Sequence, residues 1–252
     1  MSFDVDATAY DRFMGRFSTP LAPKLADLAG IADGQRVLDV GCGPGALTAE
    51  LVDRLGASAV SAVDPSEPFV SAAQERRPDV DVRRAAAEQL PFADGTFDAT
   101  LAQLVVHFMS DPAVGLSEMA RVTHPGGVVA ACVWDHGGGK GPLSAFWEAV
   151  RATDPDADDE SDLAGAREGH LAQLFDEAGL RDIEERILSV SVEHPSFDAW
   201  WEPYMLGVGP AGEYVASLDV DRRDALRDRC RAILPPAPFV VVASAWAVRG
   251  IA

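Results

Sequence analysis

The run Val37-Leu38-Asp39-Val40-Gly41-Cys42-Gly43-Pro44-Gly45 constrains this chain more than any other stretch. A short apolar segment carrying one acid reads as a strand, and glycines in Gly-x-Gly-x-Gly spacing read as the turn that ends it. A side chain at any of those glycines would stand between backbone and ligand, so the turn suits a ligand lying against bare main chain. A helix starting near Ala46 then points its partly positive N-terminus at the same spot. Strand, glycine turn and helix together read as a nucleotide-type cofactor site.

Two cofactors compete for it. Gly41-x-Gly43-x-x-Ala46 fits the relaxed dinucleotide fingerprint, and Asp64 follows Gly41 by 23 residues, near where that fingerprint wants an acid for the ribose. Spacing alone therefore allows an NAD(P)-dependent oxidoreductase. Asp39 argues the other way. A carboxylate two residues before the first glycine would face the anionic pyrophosphate of NAD at short range, which is costly in a half-buried cleft. S-adenosylmethionine has no phosphate there and offers a cationic ammonium and a sulfonium instead. The electrostatics favour S-adenosylmethionine.

Four segments in order then resemble the class I S-adenosylmethionine-dependent methyltransferases of the small-molecule type. Val37 to Gly45 is similar to the family's first motif, and Val60-Ser61-Ala62-Val63-Asp64-Pro65-Ser66 to its second. Ala85 to Asp98, which contains Ala87-Glu88-Gln89-Leu90-Pro91-Phe92, resembles the third. Glu118 to Gly127 resembles the helix and turn before the fifth strand. One departure is visible: many relatives carry Asp where this chain has Ala86.

The resemblance implies an α/β fold: a Rossmann-like, doubly wound, mostly parallel seven-stranded sheet with an antiparallel C-terminal edge and a helical cap. It also implies roles. Gly41, Gly43 and the backbone around Asp39 would hold the methionine end, with Asp39 close to the ammonium. Asp64 would accept from both ribose hydroxyls, since a carboxylate has lone pairs for a bidentate contact. Pro65 and Ser66 would line the adenine, Ala87 and Glu88 would meet its edge, and Gln103 would sit near ribose and methionine. Relatives carry a closing helix before the first strand, where Tyr10 could cover the methionine and Arg16 could pair with its carboxylate.

Composition bounds the rest. A chain of 252 residues, 48% of them hydrophobic, can build one α/β domain with an added cap. No run is apolar enough to span a membrane, and the start Met1-Ser2-Phe3-Asp4-Val5-Asp6 is acidic where a signal peptide is basic, so a cytoplasmic enzyme is expected. Cys42, Cys132 and Cys230 make neither a zinc spacing nor a disulfide framework, and Cys42 reads as a small filler of the turn. The net charge of −19 repels polyanions, so a small-molecule acceptor is expected rather than a nucleic acid, in a monomer or homodimer.

Alternating patterns place strands at about 36–41, 59–64, 80–86, 97–105 and 127–134, and helices at 46–55, 66–76 and 112–122. Asp111-Pro112 is a helix-start pair. Further on, a helix near 168–178 stops at Gly179, and strands follow near 183–193 and 239–248. The chain thus divides into a lid region at 1–30, a cofactor-binding core at 31–136, an insertion at 137–167, and a C-terminal part at 168–252 with a cap at about 195–235. The cap contains Trp200, Trp201 and Tyr204, then an arginine- and aspartate-rich helix near 219–233. The insertion carries Phe146 and Trp147, then an acidic run from Asp154 to Asp162 that reads as a solvated, mobile loop rather than a metal site. Gly138-Gly139-Lys140-Gly141 lacks the Ser or Thr that a phosphate loop needs after its lysine.

Methyl transfer from a sulfonium mostly needs positioning, and a general base helps where the acceptor carries a proton. His107, after the fourth strand at the mouth of the cleft, is the expected base, with His136 and Glu202 behind it. Phe108, Trp147, Trp200, Trp201 and Tyr204 could line an acceptor pocket or simply form the core of the cap. A non-catalytic S-adenosylmethionine-binding protein is the further alternative.

Overall fold

The computed structural model describes residues 6–252, so the acidic start Met1 to Val5 lies outside the described residues. The chain begins with α1 (Ala7–Tyr10), passes through a π-helical turn (Asp11–Gly15) and continues into α2 (Arg16–Ala29). Then come β1 (Val37–Val40), α3 (Ala46–Leu55), β2 (Val60–Asp64), α4 (Glu67–Arg76), β3 (Asp81–Arg84), β4 (Phe97–Gln103), α5 (Pro112–Val122) and β5 (Thr123–Trp134). The second half holds α6 (Ser144–Arg151), α7 (His170–Glu177), β6 (Arg181–His194), α8 (Phe197–Trp201), α9 (Gly209–Ser217), α10 (Val220–Ile233) and β7 (Phe239–Ile251).

Local chemistry sets the helix ends. Asp111 Oδ1 accepts from Val114 N at 3.1 Å and Pro112 occupies the first turn, so α5 starts where the pair predicts. Gly45 at φ +98° turns the chain into α3, and Gly179 at φ +84° follows α7. β5 departs from expectation: it begins at Thr123, four residues early, because Thr123 already pairs with Phe97. A register shift between Phe97 and Ala99 then absorbs Pro125 and Gly126 before pairing resumes at Val128.

The seven strands lie in the order β3-β2-β1-β4-β5-β7-β6. β1 runs parallel to both β2 and β4, so the chain leaves β1 toward one side of the sheet and returns to its other side after β3. Ligands of open α/β sheets bind at such a switch point, beyond the carboxyl ends of the strands. β7 is antiparallel to β5 and β6 and lies between them, so the reversed strand sits one position inside the edge.

Neighbouring residues of β1 feed opposite faces, as the period of a strand requires. Val37 belongs to the cluster that holds Leu21 and Leu25 of α2 and Leu47 and Leu51 of α3, whereas Leu38 belongs to the one that holds Leu116 and Met119 of α5 and Phe175 of α7. A third cluster forms the cap. It joins α6 to α8, α9 and α10, so both insertions fold together, and Phe13 of the N-terminal segment packs into it. Phe146 is fully buried there, stacked on Tyr204 at 4.7 Å and edge-on to Trp147 at 5.0 Å. Phe146→Ala is expected to lower unfolding free energy by about 3–5 kcal/mol, the usual cost of truncating a buried Phe. Urea denaturation checks this, and a loss near zero would mean that the cap does not unfold with the sheet.

Candidate functional site

Where β1, β2 and β4 end, a cleft of about 480 Å³ opens. The glycine turn forms its floor. Gly41 N and Cys42 N both donate to Val63 O, at 2.8 and 2.9 Å, which pulls the turn against the end of β2. Gly41 has φ +70°, and a Cβ there would collide with the side chain of Val105. At Gly43, φ is +53° and a Cβ would stand in open space, which in this setting is the cleft.

Asp64 organises the far side. Its Oδ2 accepts from Gly43 N and its Oδ1 from Ser66 N, both at 2.8 Å. Burial pushes its pKa up, against the pull of those two N–H groups. Tyr10 and Phe69 meet edge-on at 5.3 Å on the cleft wall. Burial and the neighbouring Asp64 raise the Tyr10 phenol, so it stays protonated.

Of the residues that the resemblance assigns to the cofactor, Tyr10, Gly41, Gly43, Asp64, Pro65, Ser66, Ala87, Glu88 and Gln103 line this cleft. Their contacts refine several expectations. Glu88 Oε1 accepts from Ser110 N at 2.6 Å and Asp111 N at 3.2 Å, so this carboxylate also ties the segment before α5 to the cleft rim. Gln103 Nε2 donates to Ser18 O at 3.0 Å, which anchors α2, while its Oε1 is buried without a partner.

Two expected residues are elsewhere. Arg16 was placed by its sequence position over the methionine end, but its guanidinium turns away from the cleft. It donates to Arg12 O, to Ala199 O at 3.2 Å, and lies 3.2 Å from His194 Nδ1. The π-helical turn just before it changes which face of the helix Arg16 occupies. Asp39 is buried beneath the glycine turn rather than on the cleft wall. Its Oδ2 accepts from Thr48 Oγ1 at 2.6 Å and its Oδ1 has no partner.

The base candidates separate in the same way. His107 is buried, not at the cleft mouth, and lines a smaller cavity under the cap together with His136. Glu202 is exposed and lies 3.7 Å from Arg12. Of the aromatic candidates, Phe108 lines both cavities, whereas Trp200, Trp201 and Tyr204 belong to the core of the cap. The acidic run is not simply a solvated loop. Glu160 is buried and accepts from Trp147 Nε1 at 2.9 Å, Asp159 pairs with Arg151, and Asp154 accepts from the Tyr214 hydroxyl. Nothing in the sequence distinguishes Glu160 from the carboxylates around it. Cys42 fits its role as filler: burial raises its thiol well above the usual range.

The cleft suits the expected cofactor on structural grounds. It offers a bare-backbone floor at Gly43, a buried carboxylate beside it at Asp64 and an unpartnered carboxamide oxygen at Gln103. Among the described residues that line the cleft, Arg84 is the one guanidinium and donates to Pro65 O at 3.1 Å; Arg76, outside that lining, donates to Pro44 O of the glycine turn at 2.9 Å. A pyrophosphate would find acid here, and a sulfonium would find what attracts it.

Comparison with known proteins gives the same direction. The family model for a methyltransferase domain matches residues 38–131. The chain is 33% identical over 183 residues to a demethylmenaquinone methyltransferase of Paenarthrobacter aurescens, covering 66% of this chain and 70% of that protein. It is 44% identical over 101 residues to the demethylmenaquinone methyltransferase of Beutenbergia cavernae, covering 40% of this chain; it spans only 41% of that relative's length. Among solved structures, the YcgJ protein of Bacillus subtilis superposes with a TM-score of 0.59 at 18% identity, covering 91% of this chain and 97% of that one.

Asp39 yields a pH prediction. Burial, with Asp64 adding to it, raises its pKa to about 7 from 3.8, although the Thr48 hydroxyl pulls the other way. The folded chain therefore holds a proton that the unfolded chain has already released between those values. Its stabilising contribution is full below the unfolded value and is lost as pH rises through about 7. Asp39→Asn keeps an acceptor for Thr48 and removes the buried charge. The variant should gain on the parent steadily from about pH 4 to about pH 8 in chemical denaturation, and parallel curves would discount Asp39 as the source.

Proposed function

The chain belongs to the class I S-adenosylmethionine-dependent methyltransferases, and from that we propose that it transfers the methyl group of S-adenosylmethionine to a small, largely apolar ring molecule held beneath the cap. The observation that carries this reading is the pairing of two spaces: the glycine-floored cleft and, behind Tyr10, Leu104 and Phe108, a second cavity walled by the cap.

The bound cofactor supplies an activated methyl on a sulfonium, so the protein's own work is to orient and to exclude water. Gly41 and Gly43 let the methionine end lie on backbone. Asp64, already fixed by two N–H groups, has lone pairs left for the ribose hydroxyls. Pro65 and Ser66 line the adenine side, with Ala87 and Glu88 at its edge. Tyr10 covers the cleft, and Gln103 presents its free oxygen toward the methionine. Leu104 holds φ +62°, a strained value for this residue, and this turns its side chain onto the wall between the two spaces.

His107 is the proposed proton acceptor. Burial, helped by His136, keeps its pKa far below the usual value, so it is neutral at neutral pH. Aromatic walls, together with relatives named demethylmenaquinone methyltransferases, support an aromatic-ring acceptor. The net charge of −19 argues against a nucleic acid. No helix among the described residues is long and apolar enough to cross a membrane, which supports a cytoplasmic enzyme.

Asp64→Ala removes the ribose acceptor and releases the glycine turn together. Calorimetric affinity for S-adenosylhomocysteine should fall by about 1–3 kcal/mol. Unchanged affinity would remove Asp64 from the cofactor site, and no binding by the parent protein would overturn the methyl-transfer reading.

A further inference from the structure

The cavity under the cap has a volume of about 40 Å³, several times the ~10–15 Å³ that one water needs. Most of its wall is hydrocarbon, from Phe13, Met14, Leu143, Val208 and Ala211. Among its polar groups, three atoms stand out. His107 Nδ1, His136 Nε2 and Trp134 Nε1 are all buried without a hydrogen-bond partner, and all three side chains line this one cavity. Buried polar groups in folded proteins are nearly always paired, so three orphans around one space point to a polar group that belongs there.

The types of the orphans restrict that group. Trp134 Nε1–H can only donate, while a neutral histidine ring presents one nitrogen that accepts and one that donates. A ketone can accept but not donate, and an ammonium can donate but not accept. A hydroxyl does both. Charge restricts it further. Glu160 lines the cavity, its Oε1 3.9 Å from His136 Nε2 and its Oε2 accepting from Trp147 Nε1, and among the described residues no Lys or Arg is on the wall. A carboxylate or phosphate would meet an acid with no cation to balance it.

We propose that this inner cavity is the acceptor's polar subsite: it takes the phenol-type hydroxyl of an uncharged, otherwise apolar ring molecule, with His107, His136 and Trp134 as hydrogen-bond partners and the Glu160 carboxylate disfavouring anions. The ring body lies across the shared wall of Tyr10, Leu104 and Phe108, facing the large cleft. This assignment rests on the methyl-transfer reading, because it is the cleft on the other side of that wall that makes the cavity an acceptor site.

Isothermal titration of the full chain tests it in two stages. S-adenosylhomocysteine is bound first, then 2-naphthol, naphthalene and 2-naphthoate are each added to the saturated protein. 2-Naphthol should bind about tenfold or more tightly than naphthalene, the scale of one or two buried hydrogen bonds, and 2-naphthoate should bind more weakly than 2-naphthol. His107→Phe and His136→Phe should each lose the preference for 2-naphthol over naphthalene while keeping S-adenosylhomocysteine affinity, which also reports that they are folded. If either variant fails to fold, the three-ligand series on the parent protein decides alone. Absent S-adenosylhomocysteine binding would overturn the methyl-transfer reading. Intact S-adenosylhomocysteine binding with 2-naphthol no better than naphthalene, with 2-naphthoate the tightest, or with preference retained in both folded variants would overturn the inner subsite alone.

Discussion

The carboxylate of Asp64 ties three stretches of backbone together at the switch point of the sheet. One oxygen holds Gly43 in the turn after β1, the other holds Ser66 ahead of α4, and the residue itself ends β2. The turn cannot find this shape alone, since Gly41, Gly43 and Gly45 all sit at positive φ and none is favoured over the many other states a glycine can reach. Two charge-assisted bonds to one buried acid remove that freedom. The cleft's floor, its acidic side and the start of α4 are consequences of this contact. Burial of Asp64 disfavours its charge, and the same burial strengthens each bond the charge makes.

Sequence reasoning reached the parts of this arrangement that local chemistry determines. α3 and α5 have the predicted bounds because Gly45 and Asp111-Pro112 are strong punctuation. Asp64, Gly41 and Gly43 were legible because a strand end followed by a glycine turn admits few geometries. What was not legible depended on rotation and on distance. Arg16 was misplaced because no residue of Asp11–Gly15 announces a π-helical turn. Asp39 was brought to the ligand by its closeness in sequence, but strand alternation sends its side chain to Thr48 on α3 instead. Glu160 was hidden among like residues, since only the folded insertion brings Trp147 to it.

Net charge and local charge do different jobs here. The surplus of acids is spread over an exposed surface where ion pairs such as Arg76–Asp11 and Arg227–Asp198 are solvated and contribute little. Inside the cleft a single buried carboxylate, screened far less, sets the sign of what can bind. A fold with this floor can serve anionic dinucleotides when cations or helix dipoles face the phosphate. With Asp64 beside the turn, this one suits a cofactor that is cationic at its centre.

The boundary of the family match separates the two halves of the site. The matched stretch, residues 38–131, holds the glycine turn, Asp64, Glu88 and Gln103, which is most of the large cleft, together with His107 of the inner cavity. Trp134, His136 and Glu160 lie beyond it, as do Leu143, Val208 and Ala211 of the inner wall. Trp134 ends β5 and His136 follows it, whereas Glu160, Leu143, Val208 and Ala211 come from two insertions whose apolar residues pack on each other, on Phe13 and on Phe239 of β7. A donor that never changes needs a constant cleft, whereas an acceptor is chosen by whatever closes over it. The strained Leu104 and the neighbouring Phe108 stand where the two meet, on the wall common to both cavities. On the proposed methyl-transfer reading, substitutions there would change the distance between donor and acceptor, and substitutions deeper in the cap would change which acceptor is admitted.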